Sequence, residues 1–143
     1  MFTVKTLISP DAGLFGNVAD GVFDKPINET LVSEFLSDPR HHIIVAIRDD
    51  KIVGFASAVH YVHPDKPAEL WINEVGVSPN YQRQGVAKAI LKEMLRLGKR
   101  LRCRSAWVLT DRTNLAANRL YSSVGGRLDP GDTVMYEFDV ADE

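Results

Sequence analysis

The sequence is poor in several features that would mark a specialised class of protein. Its 143 residues contain one cysteine, Cys103, which has no partner for an internal disulfide or a clustered metal site. No apolar run approaches the ~20 residues needed to cross a bilayer, and the N-terminal residues lack the charged-then-apolar layout of a signal peptide. Internal repeats and linkers are also missing. These absences favour one cytoplasmic globular domain over residues 1–143.

An excess of positive charge is missing too. The formal net charge is −2, whereas a nucleic-acid-binding protein should carry a basic surface. The one basic run, Lys99 to Arg104, lies at the predicted end of a long helix, where cations complement the helix dipole. We therefore expect neither a nucleic-acid partner nor a membrane partner.

The four histidines do not form a metal-binding pattern. His60 and His63 are three residues apart on a predicted strand, so their side chains point to opposite faces. The adjacent His41 and His42 diverge in the same way, and the sequence has neither an HExxH motif nor a Cys/His cluster. The sequence therefore predicts no metal site.

The most informative run is EVGVSPNYQRQGVAK, at residues 74–88. A strand pattern passes through a Ser-Pro-Asn turn and a glycine-containing loop into a strongly helical pattern. Such a loop leaves unpaired backbone N–H groups at the positive end of a helix dipole, where phosphate binds. The run contains neither GxGxxG nor a Walker Gly-Lys-Ser/Thr. An ordinary strand-to-helix turn is the alternative interpretation.

A second motif follows about 35 residues later. The apolar run SAWVLTD, at residues 105–111, precedes the helical pattern TNLAANRLYSSVGG. Asn114, Ala117 and Tyr121 have the spacing N-x-x-A-x-x-x-Y, and the helical period places Ala117, Tyr121 and Val124 on one face. Taken alone, Tyr121 would be a core aromatic side chain on an amphipathic helix.

Together the two motifs resemble the GNAT superfamily of N-acetyltransferases. The spacing Gln82-x-x-Gly85-x-Ala87 is similar to its acyl-CoA pyrophosphate loop, and N-x-x-A-x-x-x-Y is similar to the helix after its fifth strand. The predicted order, β-α-α-β-β-β-α-β-α-β, also resembles this family. It implies an α+β (mixed α/β) GNAT fold, a twisted mixed sheet of about six strands flanked by about four helices. Strands are predicted at 2–8, 42–47, 51–61, 69–77, 105–111 and 133–140, and helices near 9–11 and at 28–36, 82–102 and 114–124.

The resemblance implies acetyl-CoA as cosubstrate and no metal. The residues expected to contact it are Val75, Gly76 and Val77 on the strand, Gln82, Arg83, Gln84, Gly85, Val86, Ala87 and Lys88 in the loop, and Asn114 and Asn118 on the later helix. Tyr121 is the candidate general acid, since a phenol with a pKa of about 10 is protonated at neutral pH. Glu74 is the candidate base, with Glu69 and Asp111 as second choices. The sequence departs from the family at Gly125-Gly126, where Gly-Phe is usual.

The acceptor is expected to be a primary amine that attacks directly in a ternary complex. Residues 58–95 resemble aminoglycoside 3-N-acetyltransferases in layout, although those usually carry aspartate where Glu74 stands. This favours an aminoglycoside or a similar polycation, held in an acidic cleft lined by Asp65, Glu69, Glu74, Asp111, Asp129 and Asp132. Another small amine, a peptide N-terminus, a non-catalytic acyl-CoA-binding module and a nucleotide-binding module are the alternatives. The sequence is compatible with a homodimer and does not distinguish antibiotic resistance from metabolism.

Overall fold

The computed structural model describes residues 1–141, and within them the chain forms five strands, three α-helices and two short 3₁₀ helices. The strands are β1 (Thr3–Thr6), β2 (His41–Arg48), β3 (Lys51–Tyr61), β4 (Glu69–Val77) and β5 (Ser105–Val108). The α-helices are α1 (Glu29–Ser37), α2 (Val86–Arg100) and α3 (Leu115–Ser123), and the 3₁₀ helices span Ser9–Gly16 and Pro79–Tyr81.

The strands form one mixed sheet in the order β1-β2-β3-β4-β5. The first four strands pair antiparallel with their neighbours, because short turns join β2 to β3 and β3 to β4. Strand β5 pairs parallel to β4, since the whole of α2 lies between them in the chain. The mixed sheet confirms the predicted fold class.

The sheet buries a hydrophobic cluster on each face. On one face, Ile90, Leu91 and Met94 of α2 pack fully buried against strand residues such as Ile44 and Leu70. On the other face, Phe15, Val22 and α1 cover Val45 and Phe55. The sheet is therefore sandwiched between α2 and the N-terminal segment, which follows from the apolar stripe of α2.

The prediction of six strands was wrong for the part of the chain that the structure describes. Residues 133–140 carry a large apolar side chain at every second position, but they pair with no strand and stay exposed. An alternating pattern predicts that a segment can pair in a sheet, and it does not specify which sheet edge the segment pairs with. Several element ends also differ: α2 begins at Val86 rather than 82, and β5 ends at Val108 rather than 111.

A β-bulge interrupts β4 at Asn73. Ala58 pairs with Ile72, whereas the next residue along β3, Ser57, pairs with Glu74, so Asn73 is the extra residue. Leu70 and Ile72 face α2 before the bulge, and Val75 and Val77 do so after it. The bulge therefore turns Glu74 to the opposite face of the sheet, which regular alternation would not do.

Candidate active site

Strands β4 and β5 separate partway along their length. Their pairing runs from Glu69 with Ser105 to Ile72 with Val108 and ends there. Residues 73–77 of β4 therefore have β3 on one side and no strand of residues 1–141 on the other. In an antiparallel ladder, alternate residues point N–H and C=O groups away from the paired strand. The opening is a cleft of about 970 Å³ that β4, the following loop, α2 and α3 line together.

The loop into α2 presents a run of unpaired backbone donors. None of the N–H groups of residues 83–88 donates to an acceptor within residues 1–141, and the first paired N–H, that of Ala89, bonds to the Gly85 carbonyl. Arg83 and Gly85 adopt left-handed conformations, with φ of 60° and 80°. Successive left- and right-handed residues curve the chain so that neighbouring N–H groups converge, which favours an anion. The positive end of α2 adds to this field.

Side chains hold this loop in place and add positive charge. The Gln82 amide donates to the Val77 carbonyl at 3.2 Å, and the Gln84 amide donates to the Asn80 carbonyl at 3.2 Å. Gln84 itself does not line the cleft, so the hydrogen bond of its side chain stabilises the loop. Arg83 and Lys88 do line the cleft. Such donors and cations fit an anion that carries phosphate groups.

The segment at residues 21–24 closes one side of the cleft above β4. A Cβ atom added to Gly76 would lie 2.6 Å from the carbonyl oxygen of Val22, so only glycine permits this close approach. Ser78, which is buried, donates its hydroxyl to the Asp20 carbonyl at 2.7 Å and ties the same segment down. Asp24 of this segment lines the cleft, as Glu74 does.

Tyr121 lies where α3 faces the cleft. It is half-buried and packs with Leu120 and Val124 against the cluster under α2, as the helical period of the sequence predicted. Burial raises the pKa of the Tyr121 phenol above its ordinary value of 10. The phenol is therefore protonated at neutral pH and can donate a proton. Tyr121 therefore both packs against the core and lines the cleft, which is compatible with a structural role and with proton donation.

The two predicted asparagines of α3 have different surroundings. Asn114 lines the cleft and caps α3, with its side-chain oxygen accepting from the Ala117 N–H at 3.1 Å. Asn118 does not line the cleft. Its amide nitrogen donates to the carbonyls of Asn114 at 2.7 Å and Asp111 at 3.1 Å, so it holds the preceding loop against the helix.

Among the predicted carboxylates, only Glu74 lines the cleft. Glu69 lies at the far end of β4, five residues or about 16 Å away, where its oxygens lie 2.9 Å from Nε2 of His63 and 3.3 Å from the Ser105 hydroxyl. Asp111 is exposed beyond the end of β5, and its carbonyl anchors α3. Asp65, Asp129 and Asp132 do not line this cleft either, so Glu74 is the one of the six predicted carboxylates that the structure places there.

Sequence reasoning missed several residues of the cleft. Asp24, Tyr81, Thr110 and Arg119 all line it, and none belongs to the positions singled out in the two motifs. Tyr121 gave no signal for Arg119, because residues two apart on a helix do not share a face. Asp24 had no sequence signal, since its segment has no regular structure and reaches the cleft only through tertiary packing.

The departure at Gly125-Gly126 has a structural explanation. The Gly125 N–H bonds to the Ser122 carbonyl at 3.1 Å and the Gly126 N–H to the Tyr121 carbonyl at 2.9 Å. With Gly125 at a φ of 95°, this is a Schellman motif that ends α3. A Cβ at Gly126 would lie 2.8 Å from the Tyr121 carbonyl oxygen, so the usual aromatic residue does not fit without movement.

Two further observations concern clusters of metal ligands and the length of the helices. Within residues 1–141, no three His, Cys, Asp or Glu side chains gather as metal ligands would. No helix in this part of the chain is long and apolar enough to span a bilayer.

Comparisons with known proteins agree on the family. The chain is 27% identical over 105 residues to an uncharacterised N-acetyltransferase of Mycobacterium tuberculosis, a match that covers 73% of this chain and 65% of that protein. It is 29% identical over 126 residues to the N-alpha-acetyltransferase RimI of the same organism, covering 86% of this chain and 77% of RimI.

A solved structure has the same fold. An aminoglycoside acetyltransferase from an uncultured soil metagenomic sample, crystallised with sisomicin, superposes with a TM-score of 0.83 over 98% of this chain and 97% of its own. Its sequence is only 16% identical, so the likeness concerns the fold. The sequence model of the GNAT acetyltransferase family matches residues 15–125, most of the chain. The chain therefore belongs to the GNAT family of acetyltransferases.

Proposed function

We propose that this protein transfers the acetyl group of acetyl-CoA to a primary amine by direct attack in a ternary complex. The observation that carries the proposal is the cleft, where an unpaired edge of β4 meets six consecutive unpaired N–H groups at residues 83–88. The loop would hold the pyrophosphate, and the edge at Val75, Gly76 and Val77 would pair with the pantetheine arm. Family membership supports acetyl-CoA as the ligand.

The residues of the cleft supply what acetyl transfer requires. The amine nitrogen attacks the thioester carbon, a C–N bond forms, and the C–S bond then breaks. A backbone N–H of β4 that points into the cleft would stabilise the negative charge developing on the carbonyl oxygen. Glu74 would accept the amine proton, directly or through a water molecule, and Tyr121 would give a proton to the departing thiolate.

For the acceptor we propose a polycationic amine, with aminoglycosides first. Glu74 and Asp24 face the cleft on the side of the 21–24 segment, whereas Arg83 and Lys88 lie at the loop. The cleft therefore has an acidic part that would attract a cation and a basic part that would attract phosphates. The layout of residues 58–95 supports the aminoglycoside reading. The likeness of the chain to RimI keeps a peptide N-terminus as the second candidate.

An amine panel tests this proposal. Thiol release from acetyl-CoA is measured with a gentamicin-type aminoglycoside, spermidine, an Ala-initiated peptide and a neutral-tailed amine at equal concentration. We expect the polycations to be acetylated fastest. Faster turnover of the peptide or the neutral-tailed amine would show that the preferred acceptor is not a polycation, while acetyl transfer itself would still be supported. Tight acetyl-CoA binding without turnover of any amine would indicate a non-catalytic binding module.

The role of Glu74 is tested by its pH dependence. Glu74→Gln keeps the shape of the side chain and removes the base, so we expect kcat to fall by about tenfold or more near pH 6.5. The deficit should shrink as the pH approaches the pKa of the acceptor amine, because the free amine then needs no base. Asp24→Asn, in the same cleft, is the matched control for lost negative charge. A deficit in Glu74→Gln that is the same at every pH would contradict the role as base.

A further inference from the structure

The charges of this chain are distributed unevenly along its length. Residues 83–104 contain eight of the 17 lysines and arginines but only one of the 19 acidic residues, Glu93. The rest of the chain therefore has nine basic and 18 acidic residues, a net charge of −9. The overall charge of −2, from which the sequence argues against a nucleic-acid partner, is an average over two oppositely charged regions. A polyanion is attracted to the first region and repelled by the second.

The positive charge forms a continuous surface on the solvent side of α2. This basic face consists of five exposed residues, Lys92, Arg96, Lys99, Arg100 and Arg102. At about 100° per residue, the four that belong to α2 fall within an arc of about 100°, opposite to the buried side chains of the helix. Arg96 and Arg100 share Glu93, at 2.8 and 3.2 Å. Lys92, Lys99 and Arg102 form no ion pair within residues 1–141.

Two features of the basic face reduce the stability of the helix. Lys92 and Arg96 are like charges one turn apart, and such pairs destabilise a helix. The Cys103 N–H bonds to the Gly98 carbonyl at 3.0 Å, as in a Schellman motif, and Arg102 is its left-handed residue, with a φ of 60°. Glycine is favoured there because it has no Cβ atom. The chain thus carries positive charge where other residues would be more stable, which points to a function for that charge.

The residues around the basic face favour one kind of anionic partner. Residues 86–104 contain no aromatic side chain on which unpaired bases could stack, and no asparagine or glutamine that could read base edges. The apolar stripe of α2 is buried against the sheet, so it cannot anchor the face in a bilayer. The same packing keeps α2 from entering the major groove of DNA. Double-stranded RNA, by contrast, is bound through its shape and backbone across a wide, shallow minor groove.

We propose that the basic face binds the backbone of double-stranded RNA. The cations of α2 extend over about 12 Å of helix axis, and one strand of a duplex carries a phosphate about every 3.4 Å, so the face meets about four phosphates. Arg96 and Arg100 suit phosphates because a guanidinium offers two parallel N–H donors, and Lys92 and Lys99 add point charges. The inference concerns a partner and does not depend on the acetyl-transfer reaction.

Fluorescence anisotropy with a labelled RNA duplex of about 20 base pairs, longer than the ~16 that double-stranded-RNA-binding domains span, tests the proposal. We expect binding that weakens steeply between about 50 and 200 mM salt, with a log–log slope of about −3 to −4. A DNA duplex of the same sequence, single-stranded RNA and phosphatidylserine vesicles are compared at equal phosphate concentration and should bind more weakly. Equal or tighter binding of any of these three, or no binding of the RNA duplex at the lower salt, would overturn the proposal.

Paired substitutions locate the RNA on the protein. Lys92→Gln combined with Lys99→Gln should lower the RNA affinity by about tenfold or more and reduce the salt slope by about two. Lys51→Gln combined with Lys66→Gln is the matched control, because it removes the same charge from exposed positions outside the basic face. If the control lowers the affinity as much, the binding reflects net charge alone and the proposal fails. Circular dichroism verifies that each variant is folded.

The loop before α2 is the competing site for RNA phosphates, since Arg83 and Lys88 line the cleft there. Arg83→Gln combined with Lys88→Gln removes two charges at that loop, and it should lower the RNA affinity less than Lys92→Gln combined with Lys99→Gln. The opposite order would place the RNA at the cleft and refute the basic face as its site.

Arg102→Gly separates the charge of the basic face from its stability. Glycine suits the left-handed position, so the variant should melt at a higher temperature than the wild type. Its RNA affinity should nevertheless fall, with a salt slope smaller by about one. A variant that is more stable and binds RNA as tightly as the wild type would contradict the proposal.

Discussion

At the scale of single residues, side chains that line the cleft also stabilise the fold. Tyr121 packs with the core and lines the cleft, and burial raises the pKa of its phenol. Asn114 caps α3 and lines the same cleft. A large-to-small substitution at either position would therefore disturb stability as well as chemistry. Only substitutions that preserve packing or capping can separate the two roles.

Tyr121→Phe separates packing from proton donation. The phenyl ring keeps the contacts with Leu120 and Val124, whereas the hydroxyl is lost. If Tyr121 is the general acid, kcat should fall by about 10²-fold while the KM for acetyl-CoA changes little. Steady-state kinetics check this, with thermal unfolding as the control for packing. If the turnover of Tyr121→Phe stays within about twofold of the wild type, Tyr121 lines the cleft without donating a proton.

At the scale of elements, the bulge in β4 and the loop before α2 make the site. The bulge at Asn73 leaves Val75 and Val77 facing α2 and turns Glu74 to the other face. The loop then reverses direction through two left-handed residues, Arg83 and Gly85. Neither feature is regular secondary structure, yet each determines which groups reach the cleft. Substitutions there should change binding more than folding.

Gly85→Asp tests the anion site of the loop. A Cβ added here would meet no other atom, although the φ of 80° strains any residue with a side chain. The carboxylate would compete with a phosphate for the N–H groups of residues 83–88. We expect acetyl-CoA affinity to fall by at least 100-fold in calorimetric titration. Gly85→Asn is the matched control, because asparagine has the same size and tolerates the left-handed region. If both variants lose the same affinity for acetyl-CoA, the effect comes from backbone strain at position 85 and not from the negative charge.

Asn114→Asp tests whether the Asn114 amide donates to the cosubstrate. The carboxylate oxygen keeps the cap on the Ala117 N–H, so the stability of α3 should be retained. The amide donor is replaced by a negative charge, and acetyl-CoA should bind about tenfold more weakly. Asn114→Ala, by contrast, removes the cap and should lower the free energy of unfolding by about 1 kcal/mol. Unchanged affinity in Asn114→Asp would restrict this residue to capping.

At the scale of the whole molecule, we expect stability to depend on pH through a partly buried histidine pair. Nε2 of His42 lies 2.7 Å from Nδ1 of His60, and the two rings stack across β2 and β3. Burial, with added repulsion from His60 and His41, lowers the pKa of His42 from 6.5 to about 4. Below pH 6.5 the unfolded chain gains a proton at this position before the folded chain does. The free energy of unfolding therefore decreases from pH 6.5 down to about pH 4.

His42→Gln should remove this component of the pH dependence. Glutamine retains an amide for His60 but does not titrate. Between pH 7.5 and 4.5, the wild type should lose roughly 1–2 kcal/mol more than the variant, allowing for solvent screening of a partly exposed group. Urea unfolding at both pH values measures the difference. If the free energy of unfolding falls equally in the two proteins, His42 does not contribute to the pH dependence of stability.

The sequence by itself determined the fold class, the bounds of β3 and β4 and the location of the loop before α2. These features follow from local patterns. Apolar periodicity specifies a single strand or helix, and Gly85 specifies the turn between two of them. Asn28 likewise caps α1 through the Leu31 N–H, at the position where the sequence places the start of that helix. The sequence also pointed to the loop of residues 82–88 and to Tyr121, which line the cleft, because each motif lies on a single strand-to-helix segment.

Only the tertiary structure decided the remaining features. Asp24 reaches the cleft through packing of the 21–24 segment over Gly76, which no local pattern encodes. The bulge in β4 had one signal in the sequence. Ile72 and Val75 are three residues apart, whereas a regular strand would keep an even spacing between residues that share a face. The alternation of residues 133–140 shows that this segment is suited to a strand, but the segment does not form a sixth strand of the sheet. A strand also needs a partner edge, and the alternation does not specify one.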